Sequence, residues 1–475
     1  MNEIDLDTFY ELNAIYRYNS ERRGLIQPLI KQFLSKNADD FTITKNTVSN
    51  LIHRVPNPQS EIKALKTVFQ NQDTFSTSSL DFKTVIDYIF LRYGNFSDVF
   101  VKTYNISLDA FLSISIILME SYANKESKNP YSNTYQFTTK EEYFDLNFIS
   151  IPDNNYIEGW KKSSTTNFEE LVETVTHYKD SNGVDMPFTQ DDVNRYLEIC
   201  SFNIDKIKKE PDLRFRDYPL FCYKNKIILI EPSALLKYLP HKVDYLLQKN
   251  KKYRDAKGKI FENIIFDLME DIPTKKNVDR NIEYEKGELD CLLNLKRSSW
   301  FIECKSRNIS TDSLKGKRNK IQKDVKKAIK EAITQGVRDI EHKNSDVLKK
   351  YGIKNICGII VVVEGIFPNI RLKQLLPNNP LDNCKYPVCV FNYFDLRTII
   401  NQHDARLFED FLIWRSQKNM PIYAFDECDY WAFYTNMRMD KNFKKGFKLA
   451  QEKDNLILYI SERFNDKSHL FNIVE

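Results

Sequence analysis

Residues 287–305 constrain this chain more than any other stretch. They run from Gly287 through Glu288, Leu289, Asp290, Cys291, Leu292 and Leu293, cross the polar segment 294–299, and resume with Trp300, Phe301, Ile302, Glu303, Cys304 and Lys305. Two short runs rich in β-forming residues, split by a polar segment, predict a β-hairpin. Side chains alternate along a strand, so Glu288 and Asp290 share one face of the first arm, and Glu303 and Lys305 share one face of the second. A turn centred between Lys296 and Arg297 sets Asp290 directly opposite Glu303, with Cβ atoms roughly 4.5–5.5 Å apart. Carboxylates that close repel one another unless a proton or a cation lies between them, and a divalent metal is the natural choice.

The surroundings are those of an ordinary globular protein. At 475 residues the chain has room for two to four domains, and with 12 Gly and 16 Pro it lacks the composition of long low-complexity linkers. No internal repeat is visible. The acidic start, Met1 to Asp7, is unlike a signal peptide, and the apolar stretch 110–119 is too short to span a bilayer, so a cytoplasmic location without a membrane partner is expected. The 8 cysteines are scattered through apolar contexts and the 6 histidines are dispersed, which predicts reduced, buried thiols and no zinc site. The net charge of +4 conceals an asymmetry: residues 1–200 carry an acidic excess and residues 201–475 a basic one. A nucleic-acid surface is therefore expected in the second part.

Taken in order, residues 1–215 read as a mainly helical domain. Spaced apolar residues at 6–34 predict a helix pair, and 79–91 and 107–122 predict further helices, the latter opened by Ser107. Their aromatic stripes read as core packing. Segment 129–156 reads as irregular or strand-like. Capping patterns at Thr166 with Glu169, and at Thr189 with Asp191 and Asp192, predict two more helix starts. Residues 216–257 read as a strand-helix connector packing on the core, with a helix from Pro232 to about Gln248 and a boundary in the basic stretch 249–259. Residues 401–475 read as a helical extension whose aromatics Trp431, Phe433 and Tyr434 serve core packing more readily than base stacking.

Between these lies a module, 258–400, with a helix at 261–269, a strand at 278–285, the hairpin, a long basic helix at 317–340 and a buried strand at 355–364. A further strand at 387–393 follows. Helix, three strands, helix, strand is an α/β (α+β) order that builds a mixed sheet flanked by helices.

Residues 258–365 resemble the catalytic core of the PD-(D/E)xK nuclease superfamily, the restriction-endonuclease-like fold. Asp290 matches the acid that ends the second core strand, Glu303 and Lys305 match the Glu-x-Lys motif on the third, and Glu262 matches the acid on the first helix of many members. Leu289 stands where the motif has proline, and Glu288 is an additional acid. The resemblance covers about a quarter of the chain. It implies a metal-dependent nuclease using Mg²⁺ or Mn²⁺, with Asp290, Glu303, Glu262 and the carbonyl of Cys304 as ligands.

Chemistry supports these residue types independently of the name. Phosphodiester hydrolysis needs an activated water and charge stabilisation at the phosphoryl oxygens. Carboxylates are hard ligands for Mg²⁺ or Mn²⁺, and Lys305 is placed to orient or deprotonate the water. A Glu-x-Lys pair alone more often marks a surface ion pair, but unpaired charge within so apolar a hairpin is costly without a function. Glu288 and Gln335 are accessory residues of this reading. The crowd of Lys315, Lys317, Arg318, Lys320 and Lys323 at the start of the basic helix suits a phosphate backbone, and equally suits a solvated face. DNA is favoured over RNA by the resemblance alone, with a homodimer expected because cutting two strands uses two sites. The large N-terminal domain suggests recognition or regulation by a protein or ligand, and a role in restriction or antiviral defence. The competing reading is a catalytically silent nuclease fold that binds nucleic acid or assembles a complex.

Overall fold

The structure, a computed structural model, describes residues 4–18, 23–35, 82–128, 152–179, 183, 185–211, 213–236, 238–272, 278–306, 318–364, 384–401, 405–416 and 427–439. The chain divides into two compact units, 1–74 with 80–254 and 75–79 with 255–475. The division after Arg254 falls within the basic stretch 249–259, but that stretch is helical and not a loop.

The first unit is mainly helical around a small sheet. Helices α1 (Leu6–Tyr18) and α2 (Arg23–Ser35) form the expected pair, followed by α3 (Phe82–Tyr93), α4 (Ser97–Tyr104) and α5 (Leu108–Ser127). The Ser107 side chain accepts from the Ala110 N–H and caps α5. Helix α6 (Asn154–Ser164) occupies the end of the segment expected to be irregular, whose residues 129–151 lie outside the described ones. After β1 (Thr165–Asn167), α7 (Phe168–Thr176) is capped by Asn167 and not by Thr166. Thr189 and Asp192 close a capping box on α8 (Gln190–Cys200). Then come β2 (Ser201–Phe202), α9 (Ile204–Lys209), β3 (Leu220–Tyr223), β4 (Lys226–Leu229) and α10 (Leu239–Leu247).

The strands run in the order β1-β4-β3-β2. Segment 216–257, expected as a connector to the core, thus contains in Leu220–Tyr223 and Lys226–Leu229 the central strands of the first unit's own sheet. The reason is packing: Phe221, Ile228 and Ile230 are buried in one cluster with Phe9, Phe202 and Phe215, which an isolated strand pair would leave in water. The helix expected from Pro232 is a short 3₁₀ turn (Pro232–Leu235) before α10.

The second unit is built on a five-stranded sheet. Helix α11 (Lys251–Glu270) precedes β5 (Val278–Tyr284), β6 (Gly287–Asn294) and β7 (Ser298–Lys305), an antiparallel meander, and β8 (Ile356–Val363) and β9 (Val388–Asn392) continue it in parallel with β7. Between β7 and β8 run α12 (Arg318–Val325), a π-helical segment (Lys326–Lys330) and α13 (Glu331–Glu341), where one helix was expected. Helix α13 packs on β7 and β8. The chain ends its described part with α14 (Tyr393–Ile400), α15 (Ala405–Arg415) and α16 (Glu427–Met439). Trp431 is buried against Phe411, ring centroids 5.2 Å apart, so it is a packing residue.

The β6–β7 turn is held from outside the hairpin. Leu295 donates to the Ser298 carbonyl at 2.8 Å, leaving Lys296 and Arg297 as the turn. Buried Glu409, on α15, accepts from the N–H groups of Arg297 and Ser298 at 2.8 and 2.9 Å and from the Ser298 hydroxyl at 2.7 Å. Asn294, Leu293, Leu292 and Cys291 then pair with Ser299, Trp300, Phe301 and Ile302. This is the register expected from the turn.

Among the described residues no single helix is long and apolar enough to cross a membrane.

Gly358 pairs with Trp300 across β7 and β8, and a Cβ there would overlap the indole. Trp300 is fully buried and donates to the Ser298 hydroxyl at 3.0 Å, so it has no room to yield. Gly358→Ala is expected to lower unfolding free energy by about 1–3 kcal/mol, read from the urea midpoint.

Candidate active site

One rung beyond Cys291 and Ile302, the β6–β7 ladder gives way to a side chain. Asp290 Oδ2 accepts from the Cys304 N–H at 2.8 Å, which pins the carboxylate against β7. The N–H and C=O of one strand residue leave on the same side, so the Cys304 carbonyl also faces β6 and Asp290. On the same face, Glu303 is fully buried and its Oε2 accepts from Lys305 Nζ at 3.0 Å. Glu303 Oε1 is buried with no hydrogen-bond partner. Lys305 Nζ also reaches Gln335 Oε1 on α13 at 3.3 Å. The structure thus brings Asp290, Glu303, Cys304, Lys305 and Gln335 together.

The electrostatics reflect too little positive charge. Burial pushes the Asp290 carboxyl up to about 6, against the pull of Lys305 and the Cys304 N–H. Burial, and then the Asp290 charge, push Glu303 well above the usual carboxylate range, with Lys305 only partly compensating. Burial alone would lower Lys305, but Glu303 and Asp290 more than offset it and hold the ammonium protonated. One ammonium serves two acids, Asp290 half-buried and Glu303 fully buried.

Behind Glu303 lies a residue the sequence did not mark. Asp339 is fully buried on α13, one helical turn after Gln335, and adds to the upward push on Glu303. Its Oδ1 accepts from the Tyr284 hydroxyl and from Arg338 Nε and Nη2 at 3.0 and 2.9 Å, while Oδ2 has no partner. Arg338 lies over Gly287, whose φ of +154° and lack of a Cβ admit the guanidinium. Extending the Gln335 stripe by four residues would have found Asp339. Nothing local announces Tyr284 or Arg338.

Glu262 stands beside this group, attached elsewhere. Lys259, also on α11, places Nζ 3.2 Å from Glu262 and 3.5 Å from Glu288, and donates to the Asn281 side-chain oxygen. Asn281 occupies the rung facing Asp290 in the β5–β6 ladder, between the pairs Arg280–Cys291 and Ile282–Leu289. Its φ of 51° puts it in the left-handed region, which is unusual for a non-glycine residue in mid-strand. Lys320 and Lys323 are exposed on α12, Arg318 begins that helix, and Lys315 and Lys317 lie outside the described residues.

Among the described residues no group of three or more His, Cys, Asp or Glu side chains is gathered to hold a metal. Two carboxylates and a backbone carbonyl are what the central group offers. The donors are hard oxygens, and the partnerless Glu303 oxygen fits a small divalent cation completed by water. No family model, no curated protein and no solved structure matches this chain.

The raised acids make stability depend on pH. Between the ordinary Asp value of 3.8 and about 6, the folded chain retains a proton on Asp290 that the unfolded chain releases. Stability from this group is therefore present at the acid end and lost as pH rises through about 6. Asp290→Asn, which keeps an acceptor for Cys304, is expected to remove that loss. Melting curves in EDTA should show the variant gaining on the wild type as pH rises through this window.

Proposed function

We propose that this α/β chain is a metal-dependent phosphodiesterase. Within that class the reading is a nuclease resembling the PD-(D/E)xK superfamily, with DNA as the favoured substrate. The observation that carries it is the pairing of two carboxylates, half-buried Asp290 and fully buried Glu303, on adjacent strands with a single ammonium, Lys305, between them in charge but insufficient in number.

Asp290, Glu303 and the Cys304 carbonyl would hold a divalent ion such as Mg²⁺ or Mn²⁺, which would supply Lewis acidity and lower the pKa of a bound water. The protein's part is placement. Asp290 is fixed by the Cys304 N–H, and Glu303 is held in the sheet with one oxygen that has no hydrogen-bond partner among the described residues. Lys305 enters as an ammonium: it orients a water or phosphoryl oxygen at Nζ and offsets negative charge developing in the transition state. Gln335 accepts from Nζ and limits where the remaining N–H bonds point. Exposed Lys320 and Lys323 suit the phosphate backbone of a nucleic acid. Use of the first unit for recognition or regulation, action as a homodimer and a place in antiviral defence belong to the same reading.

The test is incubation of wild type, Asp290→Ala and Lys305→Ala with supercoiled DNA, single-stranded DNA and tRNA, each with Mg²⁺ and with Mn²⁺. Cleavage of DNA is expected, reduced by about 10²–10⁴ in either variant. Unchanged cleavage in the variants would remove the site assignment. Retained binding with no cleavage by the wild type would favour a silent binding module, and preferential tRNA cutting would transfer the substrate to RNA.

A further inference from the structure

The outer acids of the candidate site already have a cation. Lys259 Nζ is surrounded by Glu262 Oε2 at 3.2 Å, Glu288 Oε1 at 3.5 Å and the Asn281 side-chain oxygen. These three oxygens come from α11, β6 and β5, and two of them are charged. That is the shell a divalent ion would recruit, here filled by an ammonium. Asn281 faces Asp290 across a rung, and Glu288 lies two residues before Asp290 on its face. The inner pair is different: Glu303 keeps a buried oxygen that no hydrogen bond satisfies among the described residues.

We propose that Lys259 is a positioning residue that holds Glu262, the nearer of its two acids, away from the metal, so that one divalent ion binds through Asp290 and Glu303 as its only carboxylates. This rests on the nuclease reading of the same site. Lys259 and Glu262 are one helical turn apart, and both remain partly exposed, so the pair is a weak one that sets a metal affinity without sealing the site. Glu262, matched by resemblance to a ligand, is on this proposal a ligand held in reserve.

The experiment is a Mn²⁺ titration of the full chain, followed by isothermal calorimetry and by the electron paramagnetic resonance signal of free Mn²⁺. It compares wild type, Glu262→Gln, Lys259→Met, the Lys259→Met/Glu262→Gln double variant, Lys259→Arg and Asp290→Asn. Lys259 is half exposed, so its replacements leave the packing intact. Wild type is expected to bind one Mn²⁺. Glu262→Gln alone should shift the Kd by less than about threefold, whereas Lys259→Met should tighten it by about tenfold or more. Lys259→Arg should keep the wild-type value. The double variant should lose the gain, because the tightening requires the Glu262 carboxylate.

A gain in the double variant as large as that of Lys259→Met alone would mean that Lys259 acts only through its long-range field, and would overturn the proposal. So would a wild type that binds two ions, or a tenfold weakening by Glu262→Gln alone, since Glu262 would then already be a ligand. Failure of the underlying site reading looks different: wild type binds no Mn²⁺, or Asp290→Asn binds it as well as wild type does.

Discussion

The arrangement of the second unit depends on one carboxylate, that of Glu409. It is buried and accepts from two successive backbone N–H groups and a hydroxyl at the tip of the β6–β7 hairpin. Hydrogen bonds to a charged group contribute about 1.5–3 kcal/mol each, well above what a neutral turn supplies. Their larger effect is on geometry. In a two-stranded arm a slip of one residue turns every side chain to the opposite face, and here it would separate Asp290 from Glu303. The turn is closed from a helix more than a hundred residues further along the chain.

That register brings acids together where the sheet is least able to solvate them. Every residue of β7 before Lys305 is buried, and β8 covers its other edge. Burial raises the carboxyls of Asp290 and Glu303, and Asp339 adds to the push on Glu303 from α13. A fold selected only for stability would have placed apolar side chains there. The acids are thus a local cost carried by a sheet whose remaining positions are packed closely, down to the glycine that makes room for Trp300.

The hairpin and its register were readable because alternation, apolar runs and a polar hinge all sit within nineteen consecutive residues of the sequence. So were the buried strand β8 and most helices, whose signals are local. What escaped was long-range. Glu409 and Asp339 are acids on helices with a further acid within two residues, and nothing in their neighbourhoods distinguishes them from solvated ones. The strands β3 and β4 were visible, but their partners β1 and β2 are only three and two residues long, too short to show a period, so the sheet they complete was not. Lys259 sat in a basic run that reads as surface. Its meaning comes from Asn281 and Glu288, brought to it by folding. The roles of Asp290, Glu303 and Lys305 rest on chemistry and resemblance, to which the structure adds their juxtaposition.

Asn281 has one more consequence. Its left-handed backbone interrupts the β5–β6 ladder on the rung facing Asp290, while the rungs to either side are paired. Amide hydrogens tied to β6 in a regular ladder are guarded by the sheet, and the change of backbone conformation at Asn281 marks where along β5 that regular protection is broken. The break in the outer strand is thus confined to a single residue, set in the backbone next to the acids.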